Sequence, residues 1–312
     1  MGASKFHPDW CELYSYSRWN GRDRFLDAGW FFVILFGGSI RNFGNDIKIY
    51  FLLFLHSDLW LSFIVPYSRL GAEKKGNEIM IGVYDYTVVL TYISLLSACT
   101  GIFVSLSGTG HPYIGSIFLM FCGFCDAFDG KIARTKKNRT SMERQYGIQI
   151  DSLSDLVAFG ILPTCIGTAL IRVSPMLQGV FDGPTAYWKI LFIKFGLHSV
   201  LVLYALAAMI RLAYFNVTEE ERQKTEKGAR KIYIGLPVTS AALIFPFVLL
   251  IQYIITQDVT VFYLVAALIT GGLFLSKLHI KKFGTVGILV LIGIGLVECL
   301  IMIFWKVMHS FV

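Results

Sequence analysis

The chain has 312 residues, 55% of them apolar, and a mean hydropathy of +0.62. Those values exclude an ordinary soluble domain and describe a chain most of whose length lies in a membrane. The net charge of +7 is gathered into a few loops, so it speaks first of membrane topology, and no nucleic-acid partner is implied.

The N-terminal stretch is polar and aromatic, with Arg18, Arg22 and Arg24, and lacks the apolar run and small-residue cleavage site of a signal peptide. The short run around Trp30 to Gly38 suits the headgroup level. Residues 47–66 are apolar enough to cross, although His56 and Asp58 interrupt them. Residues 1–80 are therefore expected to form an amphipathic appendage, with a membrane crossing at 47–66 left open, to a transmembrane domain at 81–312. Apolar runs of roughly 20 residues are what a membrane crossing requires. On that criterion, spans are expected at 86–107, 111–134, 147–173, 187–211, 233–256, 260–276 and 284–305. The fold class is all-α and polytopic.

Basic residues alternate with the spans. Lys131, Arg134, Lys136, Lys137, Arg139 and Arg144 lie in and beside one loop. Arg211 and the run Glu219 to Lys231 mark a second, and Lys277, Lys281 and Lys282 a third. The loops at 108–112, 174–184 and 257–260 hold almost no Lys or Arg, which places the basic loops in the cytoplasm. Topology accounts for the second and third groups. The first adjoins a cluster of aspartates, so topology and phosphate binding both stay open for it. Cys99, Cys122, Cys125, Cys165 and Cys299 lie in apolar runs, and the one CxxC, at Cys122 and Cys125, has no second pair to complete a zinc site. The histidines are scattered, with no two at i, i+4.

The chemistry is concentrated between Asp126 and Asp155. Asp126, Asp129, Gly130, Ala133 and Arg134 fall at i, i+3, i+4, i+7 and i+8, on one helix face. After a gap of twelve residues, Gly147, Asp151 and Asp155 fall at i, i+4 and i+8 on another. A carboxylate at membrane depth costs several kcal/mol unless it is paired. Two acidic stripes on neighbouring helices make an oxygen-rich pocket suited to a hard divalent cation. An ion pathway and a structural ion-pair network with Arg134 are rival explanations. Transporter sites, however, lie near the bilayer midplane, whereas both stripes here adjoin one basic loop. That position suits chemistry on a lipid headgroup, with a cation neutralising a diphosphate and an aspartate accepting a proton from an attacking hydroxyl.

These residues resemble the CDP-alcohol phosphotransferase family, whose pattern is Asp-x2-Asp-Gly-x2-Ala-Arg, a variable gap, then Gly-x3-Asp-x3-Asp. Every fixed position is present, at Asp126, Asp129, Gly130, Ala133, Arg134, Gly147, Asp151 and Asp155. Within the family the chain is most similar to the bacterial serine-using branch, through Asp151 to Pro163, Ile210 to Asn216, Tyr233 to Pro237 and Leu95 to Gly101. The resemblance covers roughly residues 80–245.

It implies a six-helix core with one or two further transmembrane helices, and transfer of a phosphatidyl group from CDP-diacylglycerol to L-serine, releasing CMP. The sibling acceptors are glycerol phosphate, inositol phosphate and choline. Asp126, Asp129, Asp151 and Asp155 are implied ligands of Mg²⁺ or Mn²⁺, as a pair of ions, with Asp155 also the general base. Gly130, Ala133 and Gly147 are implied to flank the nucleotide, with Arg134 supporting the site by its charge. Lys137, Arg144, Arg211 and Asn216 are candidates for holding phosphate or serine. A homodimer is expected, in the bacterial inner membrane, with the site facing the cytoplasm. Ser154 is assigned to helix packing.

Overall fold

A computed structural model describes residues 82–108, 111–183, 186–225, 232–255, 258–281 and 285–310. The expected appendage at 1–80 lies outside the described residues. In chain order the helices are α1 (Val89–Leu106), α2 (Pro112–Ala133), α3 (Ser141–Asp155), α4 (Leu162–Val173), α5 (Pro175–Phe181), α6 (Tyr187–Thr225), α7 (Ala241–Ile255), α8 (Thr260–Leu275) and α9 (Thr285–Ser310). Strands β1 (Ile232–Ile234) and β2 (His279–Lys281) pair antiparallel. Four rods are long and apolar enough to cross a membrane: Val89–Leu106, Pro112–Ala133, Ser141–Val173 and Tyr187–Arg222. Three shorter apolar helices, at Val238–Gln252, Thr260–Leu275 and Val290–Met302, accompany them. The chain is an all-α polytopic membrane protein.

Several boundaries depart from expectation, each for a local reason. The third span begins at Ser141, six residues before the expected Gly147, because Thr140 and Glu143 form a reciprocal capping box. The fourth continues to Thr225. Its charged end stays helical through pairs at i, i+3 (Arg222–Glu219, 2.7 Å) and i, i+4 (Lys224–Glu220, 3.0 Å). Arg211 and Asn216 thus lie inside a helix and do not end one. The span expected from 233 starts instead as β1. Gly235 then takes φ +79, a Cβ there would stand 2.9 Å from the carbonyl oxygens of Phe274 and Ser276, and Pro237 follows. Only after a 3₁₀ turn at Val238–Ser240 does α7 begin. Residues 174–184, expected as loop, contain α5, whose first turn is capped by Ser174 Oγ accepting from Leu177 N at 3.1 Å.

Contacts sort the connections onto two ends. At one end Arg172 donates to the carbonyls of Leu106 and Gly108, and Ser174 donates to Asp258. At the other, β1 pairs with β2, Asn216 reaches Ser152 in α3 (2.7 Å), and Lys136 pairs with Asp85 just before α1 (2.9 Å). The described parts of all three basic loops therefore share one end.

The α3–α4 junction is the fold's main irregularity. Pro163 has no N–H, so the carbonyl of Phe159, four residues earlier, loses its α-helical donor. The chain answers with a π turn over Leu156–Ile161 and with Tyr204, whose buried hydroxyl donates to Phe159 O at 2.6 Å. Tyr263 likewise donates to Pro163 O at 2.7 Å. Tyr204 also packs edge-on against Phe245 (5.2 Å) and beside Phe274 (5.7 Å), so one ring joins α3–α4, α6, α7 and α8.

Tyr204→Phe should strip the donor from a buried carbonyl and lower stability by about 1–3 kcal/mol. Thermal unfolding in detergent measures it, and adding Pro163→Ala, which restores a backbone N–H, should recover much of the loss.

Candidate active site

The two acidic stripes meet. Asp126 comes from the last two turns of α2, and Asp151 and Asp155 come from the second half of α3. One carboxylate oxygen from each of Asp126, Asp151 and Asp155 lies within 4.8 Å of the others. Asp129 lies one turn beyond Asp126 on the same face of α2, near enough to Asp151 and Asp126 for their charges to interact. All four aspartates of the motif are therefore gathered at the end of the bundle that carries the basic loops. Asp155 is buried at 9% exposure, and neighbouring Ser154 is turned away, donating to Thr91 O in α1 at 3.2 Å. That contact fixes the rotation of α3 and makes Ser154 a packing residue.

The donor set fits a divalent ion: three hard carboxylate oxygens converge where no Lys or Arg forms an ion pair with them among the described residues. Like charges this close and partly withdrawn from water need a compensating cation. Asp126, Asp151 and Asp155, with Asp129 beside them, are the residues that could hold one.

The space beside the carboxylates is open at Gly130, which is exposed; a Cβ there would meet nothing nearer than Arg134 Nη2 at 3.9 Å. Arg134 caps α2 and is exposed, as are Lys137 and Arg144. Gly147 is different. A Cβ there would stand 2.8 Å from Arg139 Nη2, so the guanidinium lies across this glycine.

Two residues beside the site stood in the sequence among the basic loop residues, with no role of their own. Lys136 bonds Asp85 (2.9 Å) and Glu143 (3.2 Å), tying the approach to α1, the α2–α3 loop and the first turn of α3. The hydrogen bond that Lys136 donates to Asp85 holds its ammonium above the ordinary pKa. Arg139 donates to Ala133 O (3.5 Å) and Glu143 O (3.4 Å), spanning the same loop from inside. Pairing of this kind depends on side-chain geometry and leaves no spacing signal.

Arg211 and Asn216 each have a partner of their own. Arg211 is buried at 6% exposure and donates from Nε to Leu236 O at 3.2 Å, with its Cζ 5.5 Å from the Phe215 ring. It helps hold the Gly235 turn. Asn216 donates to Ser152 Oγ, next to Asp151. The CxxC cysteines are buried, and Cys122 donates to Ser94 O at 3.3 Å, as packing residues do.

Comparison with known proteins agrees with this geometry. A family profile described as CDP-alcohol phosphatidyltransferase matches residues 87–273, more than half of the chain. The chain belongs to this family. The matched segment takes in α1, α2, α3–α4, α6, α7 and most of α8 as six rods, and leaves α9 as an addition. Curated relatives carry the name CDP-diacylglycerol–serine O-phosphatidyltransferase. That of Saccharomyces cerevisiae is 31% identical over 163 residues, covering 49% of this chain and 50% of the relative. That of Mycobacterium bovis is 26% identical over 152 residues, covering 48% and 45%. That of Helicobacter pylori (strain 26695) is 24% identical over 225 residues, covering 69% and 82%. The chain spans about half the length of the first two. No solved structure matches.

If the carboxylates form a metal centre, Mn²⁺ should raise the thermal midpoint of the wild-type protein, since a ligand that binds only the folded state stabilises it. Asp126→Asn should raise the metal-free midpoint, by removing one of the crowded charges, and abolish most of the Mn²⁺ response. Differential scanning fluorimetry with and without Mn²⁺ reads both.

Proposed function

We propose that this protein transfers the phosphatidyl group of CDP-diacylglycerol to the hydroxyl of L-serine, giving phosphatidylserine and CMP. The observation that carries the proposal is the convergence of Asp126, Asp151 and Asp155 at the polar end of apolar helices. The serine-using relatives and the match from Asp151 to Pro163 favour this acceptor. Residues 81–312 carry the chemistry, and residues 1–80 are an appendage to it. The active form is a homodimer in the cell membrane, the inner membrane of a bacterium, with its basic end in the cytoplasm by the charge rule.

In this scheme the lipid chains of the donor stay among the helices, and its diphosphate lies against the four aspartates. Asp126, Asp129 and Asp151, with Asp155 associated, would hold one or two Mg²⁺ or Mn²⁺ ions; bound there, the metal neutralises the diphosphate and polarises the phosphorus under attack. Asp155 accepts the proton of the serine hydroxyl as its oxygen bonds to the lipid-side phosphorus. The bond from that phosphorus to the bridging oxygen breaks, and CMP leaves with the electron pair. Gly130 and Ala133 leave room for the nucleotide, and Arg134, Lys137 and Arg144 supply positive charge at the mouth. Arg211, beside the Gly235 turn, and Asn216, on the α6 face beside α3, are candidates for orienting serine's carboxylate or a phosphate. Burial of Asp155 among helices holds the base in place before substrate arrives, so positioning supplies much of the acceleration.

Purified protein given CDP-diacylglycerol, Mn²⁺ or Mg²⁺, and in turn serine, glycerol phosphate, inositol phosphate or choline, should release CMP with serine. Release with another alcohol alone would move the chain to a sibling activity, and metal flux into proteoliposomes without nucleotide lipid would make it a transporter. Asp155→Asn should abolish turnover while largely retaining CDP-diacylglycerol binding. Loss of that binding to the degree seen in Asp129→Asn would make Asp155 chiefly a metal ligand.

A further inference from the structure

Arg139 has a place that neither a helix clamp nor a surface charge explains. Its guanidinium touches both halves of the aspartate motif, donating to the carbonyl of Ala133 and lying across Gly147, whose built Cβ would be 2.8 Å from Nη2 and 3.8 Å from Cζ. Its two bonds, at 3.5 and 3.4 Å, are at the long limit for hydrogen bonds, and both go to carbonyls. Its Nε is buried with no hydrogen-bond partner among the described residues. A guanidinium carries five donors in a fixed fork. Here that fork is held in place but poorly used, between the two segments that present the carboxylates.

The distance along the helices says what could use it. Ala133 and Gly147 each stand four residues from a site aspartate, Asp129 and Asp151, toward the basic loop, or about 6 Å of helix axis. A nucleotide lipid whose diphosphate lies at the carboxylates must send its acyl chains among the apolar helices. Its nucleoside then leaves the other way, past Ala133 and Gly147. Ribose hydroxyls and the adjacent O2 and N3 of cytosine offer acceptors that suit a forked donor. Gly147 is required on this account because a methyl group would push the guanidinium off its seat.

We infer that Arg139 is a binding residue for the nucleotide half of the donor, seated by Gly147 on the nucleoside side of the diphosphate. The inference rests on the proposed donor being a CDP-lipid, and is independent of which alcohol accepts the phosphatidyl group. Arg139 then gives up its long bonds to Ala133 O and Glu143 O, wholly or in part, for shorter bonds to the nucleotide.

Calorimetric titration of the full chain in detergent with CDP in the presence of Mn²⁺, and separately with Mn²⁺ alone, tests it. Arg139→Ala should weaken CDP at least tenfold, leave Mn²⁺ affinity within about twofold, and hold the thermal midpoint; Arg139→Lys should fall between. Gly147→Ala should weaken CDP similarly in the wild type but less than twofold further in Arg139→Ala. Unchanged CDP affinity in Arg139→Ala would overturn the inference. So would a parallel loss of Mn²⁺ affinity, which marks a structural clamp, or fully additive effects of the two substitutions. A wild-type protein that takes up no CDP overturns the proposed donor along with it, whereas CDP uptake without turnover on serine removes the acceptor alone.

Discussion

Like charges held close together in an apolar bundle are the constraint around which the rest is arranged. Carboxylate oxygens of Asp126, Asp151 and Asp155 lie within 4.8 Å of one another, with Asp129 beside them. Such a cluster opposes its own assembly, because desolvation and mutual repulsion both act against it. Packing elsewhere has to hold it together. Sites with this tension are where function is stored at the expense of stability.

The holding is done from three sides. Ser154 locks the rotation of α3 through Thr91 O, so that Asp151 and Asp155 face α2. The loop between α2 and α3 is clasped by Lys136 on Asp85 and Glu143. Below the carboxylates, the π turn re-registers the helix before Pro163, and Tyr204 bonds the carbonyl left without its donor. Because Tyr204 also packs on Phe245 and Phe274, the geometry of α3 is referred to three further helices. The site is thus rigid on its membrane side and open at Gly130, the arrangement that an enzyme working on a lipid headgroup needs.

What could be read from the sequence was whatever obeys a period. The two acidic faces follow from spacing of three and four residues, and the structure brings them together. Apolar length located the spans, and charge alternation grouped the loops that the β1–β2 pairing and the Asn216–Ser152 bond now gather at one end. Boundaries failed where local chemistry outweighs hydropathy. A capping box starts α3 early, close ion pairs carry α6 past its apolar stretch, and Gly235 with Pro237 delays α7. Arg139 and Lys136 stayed hidden among the basic residues of their loop, because only folding shows which cations have partners.

The central claim is that the four aspartates form one divalent-metal centre that seats a nucleotide diphosphate. Anomalous diffraction at the manganese edge, from crystals of the full chain grown with Mn²⁺ and CDP, tests it most directly. The account predicts anomalous peaks within coordination distance of Asp126, Asp151 and Asp155, with the diphosphate of CDP bridging to them and Asp129 alongside. Ordered CDP bound away from these carboxylates, or manganese bound elsewhere with the cluster empty, would contradict it.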